Sequence, residues 1–260
     1  MRRKHLIVLA CFIMTLCAGV LLISQPAQAM KFFRPPSMLP PEQYGNLLID
    51  LTSTKNKVLP VIFSHWTHRR QYTCEVCHTE LEINMMLNST EMTHVNQKKG
   101  LYCGACHDGM TAFSHQVDCE KCHNQEPSSF QEKYIAYVNR NPFPTTEYGN
   151  QIDWVESLQR RLIAPRRFLK EHSSAMTLDK TIKREADTSG ITSAVFPHQA
   201  HLEWMGCDIC HPDVFMVKKN GTDNLNMAEI LKGEFCGKCH LSVAFPLNNC
   251  NRCHPEMGSH

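Results

Sequence analysis

Six Cys-x-x-Cys-His units carry the chemistry of this chain. The first three are Cys74-Glu-Val-Cys77-His78, Cys103-Gly-Ala-Cys106-His107 and Cys119-Glu-Lys-Cys122-His123. The last three are Cys207-Asp-Ile-Cys210-His211, Cys236-Gly-Lys-Cys239-His240 and Cys250-Asn-Arg-Cys253-His254. That spacing is the attachment pattern of covalent heme. Two thiols add to the two vinyl groups on one edge of the macrocycle, and the adjacent histidine supplies the proximal iron ligand. One such unit is weak evidence, because zinc sites and redox dithiols share the Cys-x-x-Cys core. Six units, each with its histidine, are a different matter. Of 14 cysteines only Cys11 and Cys17 stand outside them, both in the apolar leader, so no disulfide framework is left to build. The expected cofactors are six covalently attached hemes c.

The remaining histidines are the candidate sixth ligands. Phe63-Ser-His65-Trp-Thr-His68 precedes the first unit and Phe196-Pro-His198-Gln-Ala-His201 precedes the fourth. Histidines three apart on a helical turn project from one face, so one pair can serve two closely packed hemes. The spacing repeats: from His65 to Cys74 as from His198 to Cys207, and from Cys74 to Cys103 as from Cys207 to Cys236. Tyr102 and Phe235 precede the middle unit of each set, and Ala112-Phe113 and Ala244-Phe245 precede the third. Tyr44-Gly45-Asn46 and Tyr148-Gly149-Asn150 match faintly as leaders. The economical reading is a duplicated three-heme module.

These residues resemble the class III cytochromes, and more narrowly their triheme, c7-like type, over about residues 60–123 and 193–254. The resemblance implies that the first histidine of each pair ligates the heme attached just after it, and the second another heme. Carried over, His65 faces His78, His68 faces His107, His198 faces His211 and His201 faces His240. It also takes the third ligand from the segment before the middle unit. There His94 lies nine residues before Cys103, and Met227 holds the same place before Cys236. The expectation is His94 with His123 and Met227 with His254. His115 is the rival in the first set; Met216, His172 and His260 are rivals in the second. The resemblance further implies a fold that is mainly irregular with short α-helices, two tandem units, hemes as most of the core and no substantial sheet.

Around these units the chain divides into a signal peptide (1–29), a first triheme unit (30–123), a linker with a basic helical insertion (124–192) and a second unit (193–260). Arg2, Arg3 and Lys4, the apolar run from Leu6 to Ile23 and Ala27-Gln28-Ala29 read as an export signal. An uncleaved N-terminal anchor is the alternative reading of the same run. In the insertion, Asp153 and Glu156 read as a capping pair, Trp154, Leu158 and Leu162 as an apolar stripe, and Pro165 as the helix stop. Arg160, Arg161, Arg166, Arg167 and Lys170 make it basic, as a solvated face, a docking patch or partners for propionates. Residues 124–147 read as the connection between units.

Without the signal, 24 basic residues face 25 acidic ones, and heme propionates add negative charge. Nucleic acid is excluded as a partner on that balance, and redox proteins with basic docking surfaces are expected. Hemes ligated on both sides, together with the resemblance, imply a periplasmic electron carrier, between membrane-linked donors and a terminal reductase or outer-membrane conduit. A reductase or oxidase of small nitrogen or sulfur species is the enzyme alternative and requires a five-coordinate heme. A heme filament is the third class, and the sequence does not set the oligomeric state.

Overall fold

A computed structural model of the chain describes residues 36–123, 127–169, 177–188, 190–217 and 222–257. The apolar leader, Lys170, His172 and His260 lie outside them. Two short hairpins open the two modules. Strand β1 (Asn46–Ile49) precedes helix α1 (Leu51–Lys55) and pairs antiparallel with β2 (Val61–Ser64), Asn46 opposite Ser64. Helix α2 (His65–Arg69) follows without a break. Beyond a π-type turn at Val76–Glu80 come α3 (His94–Lys98), a 3-10 turn at Tyr102–Ala105 and α4 (Cys119–Cys122).

The chain then forms α5 (Pro127–Arg140) and α6 (Trp154–Gln159). The second module repeats the first. Strands β3 (Thr181–Arg184) and β4 (Ala194–Pro197) make the hairpin, and α7 (His198–Leu202) continues from it. Helices α8 (Met227–Leu231), α9 (Gly237–His240) and α10 (Cys250–Cys253) complete it. Short helices and irregular chain with little sheet are the architecture expected; the two two-stranded hairpins were not foreseen. Among the described residues no helix is long and apolar enough to cross a membrane.

The region read as a connection differs from expectation. Residues 127–140 form a 14-residue helix, the longest described. Its Tyr134, Tyr137 and Val138 pack on a core of Trp66, Ile152, Trp154 and Ile163, with Phe143, Leu158 and Trp204 at its edge. Trp66 belongs to the first module and Trp204 to the second, so this insert joins them through conventional apolar packing. Tyr137 Oη donates to Trp66 O at 3.0 Å, and Trp154 Nε1 donates to Asn150 Oδ1 at 3.1 Å.

Asp153 does cap α6, its carboxylate accepting from Glu156 N at 2.9 Å. The reciprocal half is missing, because Asp153 N donates to Pro144 O and Glu156 pairs with Arg160. Helix α6 ends at Gln159, well before Pro165, where Arg161 takes a positive φ of 56°. The basic stretch divides likewise. Arg161 is exposed, whereas Arg167 turns inward onto Leu202 O and Glu75. The faint leader match is also corrected: the residue standing where Gly45 stands is Lys180, not Gly149. Gly45 O accepts from His65 N, and Lys180 O accepts from His198 N.

Candidate functional site: cysteine–histidine clusters

Each hairpin delivers its histidine pair as the strand turns into a helix. His65 is the first residue of α2, and both its N–H and its Nδ1 donate to Gly45 O, at 2.8 and 3.2 Å. One turn on, His68 Nδ1 donates to Ser64 O at 3.0 Å. The Phe63 ring stands edge-on to His65 (4.8 Å, 90°) and stacks on His68 (4.5 Å, 29°). In the second module His198 and His201 anchor Nδ1 on Lys180 O and Pro197 O, at 2.8 and 2.9 Å. Phe196 repeats the edge (5.0 Å, 88°) and the stack (4.2 Å, 28°). A carbonyl can only accept, so Nδ1 carries the proton and the Nε2 lone pair is left for a metal.

The six motif histidines are held in the same way. His78 Nδ1 reaches Ile83 O at 2.6 Å, His107 reaches Phe113 O at 3.1 Å, and His123 reaches Leu59 O at 2.5 Å. His211 reaches Phe215 O at 2.6 Å, His240 reaches Phe245 O at 2.8 Å, and His254 reaches Thr192 O at 2.7 Å. Five of the motifs close as one helical turn, the histidine N–H donating to the first cysteine's carbonyl, as from His107 to Cys103 at 2.9 Å. That turn puts both thiols and the imidazole on one side. The Ala-Phe matches gain a purpose here. Phe113 packs on His107 at 4.3 Å and Phe245 on His240 at 4.4 Å, while their carbonyls orient the rings.

Two gaps between rings have the size of a metal site. Ring centres lie 6.2 Å apart for His68 and His107, and 6.3 Å apart for His201 and His240. Two imidazoles on opposite sides of one ion, each nitrogen about 2 Å from it, place their ring centres roughly 6.4 Å apart. Burial pushes His65 down to about 3 and His240 to about 4 and lowers His68 and His201 as well, desolvation being the first cause in each. Neutral imidazole is the form that ligates metal.

None of the twelve motif cysteines is paired in a disulfide. Burial pushes Cys77 and Cys239 up to about 12 and Cys103, Cys210 and Cys236 up to about 11. Such surroundings penalise a thiolate and accept a neutral thioether. Among the described residues no three or more His, Cys, Asp or Glu side chains converge to hold a bare metal ion. The residues present fit heme attachment, and a zinc reading finds no cluster here.

The third site of each module is built on a capped helix. His94 opens α3, capped by Thr93 Oγ1 accepting from Asn96 N at 3.1 Å. Met227 opens α8, capped by Asn226 Oδ1 accepting from Glu229 N at 3.1 Å. The two are structural equivalents. His94 and His115 meet edge to face at 5.3 Å and 88°, so the structure brings both candidates to one place. His115 Nδ1 is buried without a hydrogen-bond partner among the described residues. Met216 is half exposed at 51%.

Sequence reasoning missed the glycines of the middle motifs. A Cβ on Gly104 would lie 2.0 Å from Gln97 O, and on Gly237 2.0 Å from Ile230 O, the carbonyls ending α3 and α8. Only these two motifs carry glycine after the first cysteine, a signal that was open to reading. Tyr102 and Phe235, just before them, share positive φ values of 54° and 51°.

The family model described as cytochrome c7 and related cytochrome c matches residues 61–124 and again 194–255. Among solved structures, a c7-type three-heme cytochrome domain is 33% identical over 36% of this chain and 99% of its own, with a TM-score of 0.27. The C-terminal hexaheme fragment of a dodecaheme cytochrome c is 25% identical over 85% of this chain and 99% of its own, with a TM-score of 0.27. Its N-terminal hexaheme fragment is 25% identical over 82% and 99%, with a TM-score of 0.26. No curated protein matches.

Proposed function

The chain belongs to the family of cytochrome c7 and related cytochromes c, and from that premise we propose that it holds six hemes c in two sets of three and relays electrons between partner proteins. A heme held by a histidine or methionine side chain on each side would take up and give back one electron and leave no open position for substrate. The chain's part is to attach, ligate and orient. Cys74, Cys77, Cys103, Cys106, Cys119 and Cys122 attach the first three groups, and Cys207, Cys210, Cys236, Cys239, Cys250 and Cys253 the last three.

The observation that carries this reading is the pair of ring separations, 6.2 Å for His68 and His107 and 6.3 Å for His201 and His240. His65 with His78 and His198 with His211 complete the first site of each module; His78 is among the charges that act on His65. His94 serves His123, with His115 beside it as the alternative, and Met227 serves His254. The helix starts that present His94 and Met227 support this pairing. A thioether ligand raises an iron's potential relative to a second imidazole. The sixth site is then the one where electrons rest.

In this account the protein is exported, works in the periplasm and exchanges electrons with proteins bearing basic docking surfaces. A Met227→Leu protein tests the ligand assignment: it loses the sulfur–iron charge-transfer band, and one midpoint falls. An unchanged spectrum refutes it. A high-spin ferric signal, or cyanide binding to the isolated protein, would favour the enzyme reading instead.

A further inference from the structure

Duplication makes one departure conspicuous. In the second module the residue after the helical histidine pair is Leu202, buried and apolar. In the first it is Arg69. The Arg69 guanidinium runs to the junction between modules, where Nη2 donates to Val243 O at 2.8 Å. It lies 5.4 Å from the Trp154 ring centre and 5.9 Å from that of Trp204, both cation–π distances.

The groups that act on it are Cys74, Tyr44, Cys239 and Tyr137, and it acts in turn on His65 and His240; none of these is a carboxylate. Cys74 is also an electrostatic neighbour of Cys210 and Cys239, and Cys74 N donates to Trp204 O at 3.0 Å. Of these, Cys74 and Cys239, the attachment points of the first and fifth hemes, are the thiols that act on Arg69. A guanidinium keeps its charge when buried. Adding an electron beside a fixed cation in a low-dielectric site is favoured.

We propose that Arg69 is a positioned charge, built into the module junction, that raises the reduction potential of the hemes attached at Cys74/Cys77 and at Cys236/Cys239. This rests on the six-heme reading above. It makes the junction the place where electrons held by one module cross into the other.

The test uses the full holoprotein, with intact mass counting hemes and a redox titration resolved by heme through NMR. In the wild type, the heme at Cys74/Cys77 is reduced before its counterpart at Cys207/Cys210, whose neighbouring residue is Leu202. In Arg69→Met the electron affinity of the two flanking hemes falls about tenfold each, which is 59 mV for a one-electron couple. Arg69→Lys retains most of the wild-type value.

A protein with six hemes in which Arg69→Met moves no midpoint, or moves all six alike, overturns the proposal. So do Lys and Met variants that lose thermal stability equally with no heme-selective shift, the signature of packing alone. If Arg69→Met loads no heme, the wild-type order decides: reduction at Cys207/Cys210 first refutes it. A wild-type mass showing fewer than six hemes sinks the function reading itself, a separate outcome.

Discussion

Substituting Gly104 by alanine should disturb fold and ligand together. The added methyl would sit 2.0 Å from Gln97 O, 2.6 Å from Gln97 C and 2.7 Å from Gln97 Cα. Comfortable non-bonded separations are about 3.5–4.0 Å, so the end of α3 must retreat by roughly 1.5 Å. Overpacking that side chains can absorb costs about 1–3 kcal/mol. Here all three obstructing atoms are backbone, so we expect about 4 kcal/mol, among the largest single-substitution effects. His94 is the first residue of the same short helix, so its imidazole moves with the retreat. Denaturant unfolding of the holoprotein reads the first effect, and electron paramagnetic resonance of the low-spin hemes reads the second. Gly237→Ala should do the same in the second module, through Ile230 O at 2.0 Å and the helix carrying Met227. Glu120→Ala, at the matching place in the third motif and exposed, should change neither. A Gly104→Ala protein with the wild-type midpoint and an unaltered spectrum refutes the reasoning.

Trp66→Ala removes the ring on which Tyr134 and Tyr137 pack and should cost about 3–5 kcal/mol in denaturant unfolding. A loss under 1 kcal/mol would contradict the insert as a load-carrying core. Asp153→Ala loses the α6 cap and the ion pair with Arg252 at 3.0 Å, about 1–2 kcal/mol together, of which Asp153→Asn should recover the cap's share. Equal losses in both would assign the effect to the ion pair alone. Glu75 is raised above its ordinary value of 4.5, by burial first and by Asp208 next, with Arg167 opposing. A carboxylic acid raised on folding binds more protons when folded, so stability falls as pH climbs through 4.5 and beyond. Glu75→Gln should therefore melt higher than wild type at pH 7 and equal to it below about pH 4. Lower melting at pH 7 would show the Arg167 pair outweighing burial.

The site was legible in the sequence because its chemistry depends on residue type and spacing. Cys-x-x-Cys-His closes as a turn, and the offsets that relate His94 to Met227 place both at the start of equivalent helices. What stayed hidden works through backbone or burial. The carbonyls of Leu59, Thr192, Ile83 and Phe215 that orient four motif histidines have no side-chain signature. The hairpins rest on four-residue strands, too short for alternation to announce them. Helix α5 begins Pro-Ser-Ser and reads as a connection, although Tyr134, Tyr137 and Val138 recur at helical spacing. Arg69 looks like one basic residue among several until the structure sets its guanidinium beside two tryptophans, and Arg167, turned onto Leu202 O and Glu75, differs from the exposed Arg161 in the same way.

Intact mass of the mature holoprotein under denaturing conditions, with and without a thiol-alkylating reagent, tests the central claim most directly. The account predicts a mass of polypeptide plus six hemes c and no alkylation, because all twelve motif cysteines are thioethers. A mass with fewer hemes, or motif cysteines that take up the reagent, would contradict it.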